Sequence, residues 1–216
     1  MTHPRGTAAR RIARRPARVA GGPAVLLAGV FALVAASALC VAFVDRPVAA
    51  FFAAHEAWRP WFIACALPSL LALPAAGLVL VWAAWRRVAG RPGVGRLALT
   101  ASAAVLAGTS AKDELKWLFG RPWPSSWLKD GLYAWHPLAT SVLYGAYPSG
   151  HTSYIAAPLC VFWVLLPRWR WLWATVILLV MVGLVGADYH FLGDVLGGLA
   201  LALLCAWGSL VLVRGD

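Results

Sequence analysis

Two short polar clusters stand at the starts of apolar segments and carry residue types suited to phosphate chemistry. The first is Ser149-Gly150-His151, in which the serine hydroxyl is a natural N-cap and the glycine leaves the neighbouring amides uncovered. A helix that begins there directs its free N–H groups and the positive end of its dipole outward, which favours an anion. We therefore expect His151 to lie beside a bound phosphate.

The second cluster pairs a histidine with a carboxylate one helical turn later. His190 and Asp194 are four residues apart, so the carboxylate can hold one ring nitrogen and leave the other free to attack. This spacing indicates a nucleophile with an orienting group, and His151 is then the candidate acid for the leaving oxygen. Taken alone, a histidine at a membrane boundary is usually an interfacial or packing residue, and it is the convergence of several ionisable groups that favours a site.

Two cations precede the clusters and fit the same chemistry. Lys116 and Arg121, together with the amides near Gly150, would balance the oxygens of a transferring phosphoryl group. The sequence thus predicts a site with His190, His151 and Asp194 as catalytic residues. Its predicted substrate-binding residues are Lys116, Arg121, Ser149 and Gly150.

The composition places this site in a membrane protein. Of 216 residues, 62% are apolar and only 12% are charged, and there are 13 tryptophans. These values exclude an ordinary soluble domain and indicate an all-α, polytopic membrane protein. The four cysteines fall inside apolar runs without metal-ligand spacing, which favours packing residues over disulfides.

The apolar segments predict six transmembrane helices in one bundle. They cover residues 22–44, 61–85, 97–119, 150–166, 171–187 and 194–213. Pro68 and Pro74 should kink the second, Gly120 should end the third, and residues 47–59 should form an interfacial link. Residues 1–21 are predicted to be a basic cytoplasmic tail without fixed structure, and residues 22–214 the membrane domain. The tail's arginines favour contact with anionic lipid over nucleic acid.

The distribution of positive charge predicts the orientation. With the N-terminus in the cytoplasm, 13 lysines and arginines lie inside and six lie outside, as the positive-inside rule requires. Both histidine clusters and the Lys116–Arg121 region then face the extracytoplasmic side.

These motifs resemble those of the type 2 phosphatidic acid phosphatase superfamily. Its second motif is present in full as Pro148-Ser149-Gly150-His151, and its third ends in a histidine and an aspartate four apart, as His190 and Asp194 are. The resemblance covers residues 97–213. It implies six membrane helices, a phosphohistidine on His190, protonation of the leaving group by His151, and neither metal nor cofactor.

Two motif positions depart from the family pattern. The family's first motif is a lysine followed by six residues and then Arg-Pro. Counting from Lys116 leads to Trp123-Pro124, so a tryptophan stands at the arginine position. Arg121, two residues earlier, is therefore the predicted phosphate-binding arginine. The third motif normally opens with Ser-Arg, and Gly183 and Leu184 occupy those positions. Lys112, one turn before Lys116, is a candidate replacement for the missing cation. The alternative is a snorkelling lysine paired with a neighbouring acid.

The sequence therefore predicts a phosphatase of the plasma (inner) membrane that hydrolyses a lipid phosphate or diphosphate. Phosphatidic acid, phosphatidylglycerol phosphate and undecaprenyl diphosphate exemplify the substrate class. A phosphotransferase with the same intermediate and an inactive family member are the alternatives. A haem-binding bundle is disfavoured because His151 and His190 lie at helix mouths.

Overall fold

The structure, a computed structural model, describes residues 22–213, and this part of the chain is helical apart from its connecting loops. The predicted tail over residues 1–21 lies outside the described residues. The all-α prediction is confirmed.

The first helical stretch continues further than the sequence predicts. Helix α1 (Gly22–Leu39) passes through a π-helical turn (Cys40–Val44) directly into α2 (Asp45–Ala54). Residues 47–54 are therefore helical rather than part of an interfacial link, and a short 3₁₀ turn (Glu56–Trp58) follows. A π turn inserts an extra residue and so changes which face of the helix meets its neighbours. Here Asp45, directly after the turn, is buried.

The second stretch is broken where a proline was expected to kink it. Helix α3 (Arg59–Ala66) ends just before Pro68, and α4 (Ser69–Val88) continues with Pro74 in its interior. Helix α5 (Arg96–Phe119) then ends at Gly120, which adopts a left-handed conformation with φ of 58°. A side chain at Gly120 would also collide with the carbonyl of His136, so both the turn and the close approach require glycine.

The long loop contains a short helix, α6 (Pro124–Asp130), and leads to three apolar helices. These are α7 (Gly150–Leu165), α8 (Arg170–Gly186) and α9 (Leu192–Leu212). Helix α7 packs against α4, α5, α8 and α9, while α1 lies along α9 and α3 lies along α8. Small and β-branched residues with no exposed surface fill this centre, among them Ala104, Ala156, Val161, Val180 and Val195.

Four helical stretches are long and apolar enough to cross a membrane. They are Gly22–Ala54, Glu56–Val88, Pro167–Gly186 and Leu192–Leu212. Helix α7 is apolar but has only 16 residues, and α5 carries Lys112, Asp113, Glu114 and Lys116 in its last turns. The structure thus supports a membrane protein, but the predicted count of six spans is not confirmed.

Candidate active site

The two histidine clusters meet where α7 and α9 begin. The amide of Ser149 donates to the carbonyl of Asp194 over 3.0 Å, which ties the two helix N-termini together. Ser149 also caps α7 as predicted, because its hydroxyl accepts from the amide of Thr152 at 3.3 Å. The approach is close enough that a Cβ at Gly198 would lie 2.5 Å from the carbonyl oxygen of Ser149.

His190 lies in the turn before α9, between Asp194 and His151. Its Nδ1 is 3.5 Å from Oδ2 of Asp194, and the ring centroids of His190 and His151 are 6.3 Å apart. His190 is only 3% exposed, and burial lowers its pKa below the ordinary value although the Asp194 carboxylate acts in the opposite direction. A lowered pKa keeps the ring neutral near pH 7, the state in which its free nitrogen can attack an electrophile.

Asp194 is held in position by its own helix start. Its Oδ2 accepts from the amide of Phe191 at 2.9 Å, and the side chain has no exposed surface. A carboxylate at this place also interacts favourably with the positive end of the α9 dipole. The carboxylate is thereby fixed beside the His190 ring.

A cavity of about 480 Å³ opens beside the two histidines. Its polar lining includes His151, His190, Arg59 and Asp188. Apolar side chains of α3 and α4 form the opposite wall, namely Ile63, Ala66, Leu67 and Leu70. Leu67 and Leu70 are more than half exposed on the protein surface, so this wall reaches the outside of the helix bundle.

The predicted lysine and glycine lie on the α5 side of the histidines. Lys116 places its Nζ 4.9 Å from the ring centroid of Trp123, and the same ring is 5.1 Å from that of His190. Lys112 packs against Gly150, where a Cβ would come 2.7 Å from its Cδ, and it forms an ion pair with Asp113. The placement of Lys112 is compatible with both sequence-based interpretations, so its role stays a prediction.

Arg121 lies beneath the site rather than in the wall of the cavity. Its side chain is completely buried, with Nη1 2.5 Å from Oδ1 of Asp194 and Nη2 2.7 Å from Oδ2 of Asp45. Phe191 packs on the guanidinium, and Tyr133 contacts Nη2 at 3.2 Å. This placement departs from the expected phosphate contact, because both terminal nitrogens already bind carboxylates.

Asp45 is a residue of this site that the sequence reasoning missed. Its second oxygen accepts from the amide of Gly193 at 2.8 Å, so it binds both Arg121 and the start of α9. An ionisable residue at the end of an apolar run is costly in a membrane and indicates function, which was the available signal. The predicted first span over residues 22–44 ends just before Asp45, to which the sequence analysis assigns no role.

Together these groups could support transfer of a phosphoryl group. A neutral histidine with an orienting carboxylate can attack, a second histidine faces it, and helix N-termini and Lys116 supply positive potential. Within residues 22–213, no three metal-ligating side chains are grouped so that they could hold a metal ion.

Comparison with known families gives a match over the second part of the chain. The PAP2 superfamily profile matches residues 94–215, which is more than half of the chain. No individual curated protein and no solved structure matches the sequence. The matched region contains both histidines and Asp194, whereas Asp45 and Arg59 lie before it.

Proposed function

The chain belongs to the PAP2 superfamily, and we propose on that premise that it is a membrane phosphatase acting on a lipid phosphate or diphosphate. The observation that carries the proposal is one cavity with two chemically different sides. His151 and His190 line one side, and the apolar residues of α3 and α4 line the other. A molecule with a phosphate head and a hydrocarbon tail fits both sides at once.

The proposed reaction begins with attack by His190. The carboxylate of Asp194 lies 3.5 Å from Nδ1, so Nε2 is the nitrogen that forms the bond to phosphorus while the bond from phosphorus to the leaving oxygen breaks. His151 gives its proton to that oxygen. Water then attacks phosphorus and passes a proton to His151 while the bond from phosphorus to Nε2 of His190 breaks, so that phosphate leaves and both histidines return to their starting states. The ring centroids of the two histidines are 6.3 Å apart, so both rings lie close enough to contact one phosphoryl group.

We further propose that α5 and α7 cross the membrane inside the bundle, which gives six spans. Helix α7 is enclosed by α4, α5, α8 and α9, so its short length does not have to match the bilayer by itself. The ends that carry the histidines then face the extracytoplasmic side of the plasma (inner) membrane, as the charge distribution predicts.

The orientation can be tested with two exposed positions, one in the loop before α5 and the other in α6, which follows α5. In a background without the four native cysteines, Lys129→Cys should react with a membrane-impermeant thiol reagent in intact cells. Gly93→Cys should react only after the cells are lysed. The reverse pattern would place the site in the cytoplasm and remove the argument for an extracytoplasmic lipid.

The activity can be tested on a panel of lipid phosphates. Purified protein should release inorganic phosphate from at least one lipid monophosphate or diphosphate, and activity should persist with a metal chelator. His190→Ala is the control for contaminating phosphatases. Transfer of phosphate to an added acceptor lipid instead of water would identify a phosphotransferase. Absence of both products, with the phosphates still bound, would identify an inactive family member.

A further inference from the structure

The two sides of the cavity differ in their supply of positive charge. On the α5 side, Lys116 and Lys112 lie near the histidines. On the α8 side, the wall contains Leu184, which is 1% exposed and carries no charge, and the residues after α8, Asp188 and Tyr189, add no cation. A phosphate bound between the histidines would need a cation on this side as well, since its oxygens point in all directions.

The packing of α3 on α8 depends on the glycine beside that leucine. A Cβ at Gly183 would lie 2.6 Å from the carbonyl oxygen of Phe62 and 2.7 Å from the amide of Ala66. Backbone atoms cannot move aside as a flexible side chain can, so any larger residue at this position would push α3 away. Gly183 thus allows α3 to lie directly against α8, and α3 begins at Arg59.

Arg59 reaches the cavity from the start of α3 and is held at one edge. Its Nε donates to the carbonyl of Ala187 at 3.1 Å, and its guanidinium lies 5.7 Å from the ring centroid of Tyr189. The carboxylate of Asp188 lines the same cavity and interacts electrostatically with Arg59, but in the part of the chain that the structure describes no carboxylate lies within ion-pair distance of Arg59. The two terminal nitrogens therefore keep their donors for a ligand in the cavity that Arg59 shares with both histidines.

We propose that Arg59 is a substrate-binding residue that donates two hydrogen bonds to phosphate oxygens on the α8 side of the cavity. This role rests on the proposed function. In it, Arg59 on α3 supplies the positive charge that Leu184 on α8 cannot supply. A planar guanidinium suits this place, because it offers paired donors that match two oxygens of one phosphate. Lys116, which lies on the α5 side of the histidines, would then balance the charge of the same phosphate.

The test measures phosphate binding without relying on turnover. The thermal stability of the detergent-solubilised full chain is titrated with inorganic phosphate, and the dissociation constant follows from the rise in Tm. Arg59→Gln should bind phosphate about 10- to 100-fold more weakly than the wild type, the value of a charged hydrogen-bonded contact. Arg59→Lys keeps the positive charge but lacks the paired guanidinium donors, so its phosphate affinity should lie between those of the wild type and Arg59→Gln.

Arg170 provides a matched control. Its Nε donates to the carbonyl of Trp163 at 3.2 Å and its guanidinium lies 5.6 Å from that ring, so it has the same local contacts away from the cavity. Arg170→Gln should leave phosphate affinity unchanged. Lys112→Ala, measured in parallel, would lower the affinity instead of Arg59→Gln if Lys112 supplied the missing cation.

Each result has a separate meaning. Unchanged affinity in Arg59→Gln, or no detectable phosphate binding by the wild type, would overturn the assignment of Arg59. If Arg59→Gln does not fold, the comparison of Arg59→Lys with the wild type decides, and equal affinity overturns it. Phosphate binding that depends on Arg59 in a protein that hydrolyses no lipid phosphate would support this residue and reject the proposed activity.

Discussion

Replacing His190 with alanine should abolish phosphate release from every substrate, with a loss of more than about 10⁴-fold. Without this imidazole there is no nucleophile to form the covalent intermediate, whatever the leaving group. The comparison needs two substrates, a lipid monophosphate and nitrophenyl phosphate. His55→Ala is the control, because His55 lies in an aromatic cluster with Phe51 and Trp58 outside the cavity lining.

The His151→Ala variant should distinguish the two substrates. An alkyl oxygen leaves poorly without a proton, so the loss on the lipid monophosphate should reach about 10²- to 10⁴-fold. Nitrophenolate leaves readily as an anion, and a much larger fraction of that activity should remain. The variant should still form the phosphoenzyme with nitrophenyl phosphate, which trapping of labelled protein without acid would detect.

Two outcomes would revise these roles. Equal losses on both substrates would mean that His151 also holds the phosphate or maintains the fold. Activity of His190→Ala on the activated substrate would show that another group attacks phosphorus. The ring centroids of His151 and His190 are 6.3 Å apart, so either histidine can contact the same phosphoryl group. The kinetics must therefore distinguish their roles.

Replacing Arg121 with alanine should mainly destabilise the protein, by about 3–5 kcal/mol. The change leaves the carboxylates of Asp45 and Asp194 buried without their shared counterion, since both have virtually no exposed surface. Thermal unfolding in detergent, or titration with a denaturing detergent, would measure the loss. Activity should fall as well, because Asp194 would no longer be held beside His190.

A second substitution tests whether the network is the cause. Asp45→Asn in the Arg121→Ala background removes one of the two uncompensated charges and should recover part of the lost stability. In the wild-type background the same Asp45→Asn change should instead destabilise, because it weakens the pairing of Arg121. This reversal of sign is the signature of a coupled charge cluster.

The sequence-based interpretation makes a different prediction for Arg121. If its guanidinium binds substrate phosphate, Arg121→Ala should unfold like the wild type and should weaken inhibition by inorganic phosphate. That result would contradict the role suggested by the geometry, in which both terminal nitrogens bind carboxylates at 2.5 and 2.7 Å.

Several local features could be predicted because their causes lie within a few residues of each other. The Ser149 cap requires only a hydroxyl three residues before an amide, and Gly120 ends α5 because it adopts a positive φ without strain. The approach of His190 to Asp194 is likewise local, because the turn before α9 places the two residues, four apart in sequence, beside each other. The predicted end of the first helix at residue 44 was wrong, because a π turn carries the helix on to Ala54.

By itself, the sequence determined the helical class and the position of the two histidine motifs at helix starts, both of which depend on composition and short spacing. Only the tertiary structure decided which partners the cations have. Arg121 meets Asp194 across 73 residues and Asp45 across 76, and Arg59 reaches the carbonyl of Ala187 across 128. Such contacts depend on which helices pack together and how closely. Here the close backbone approach at Gly183 places Arg59 at the cavity. The π turn before Asp45 places the Asp45 carboxylate against Arg121, which is held beneath the cavity.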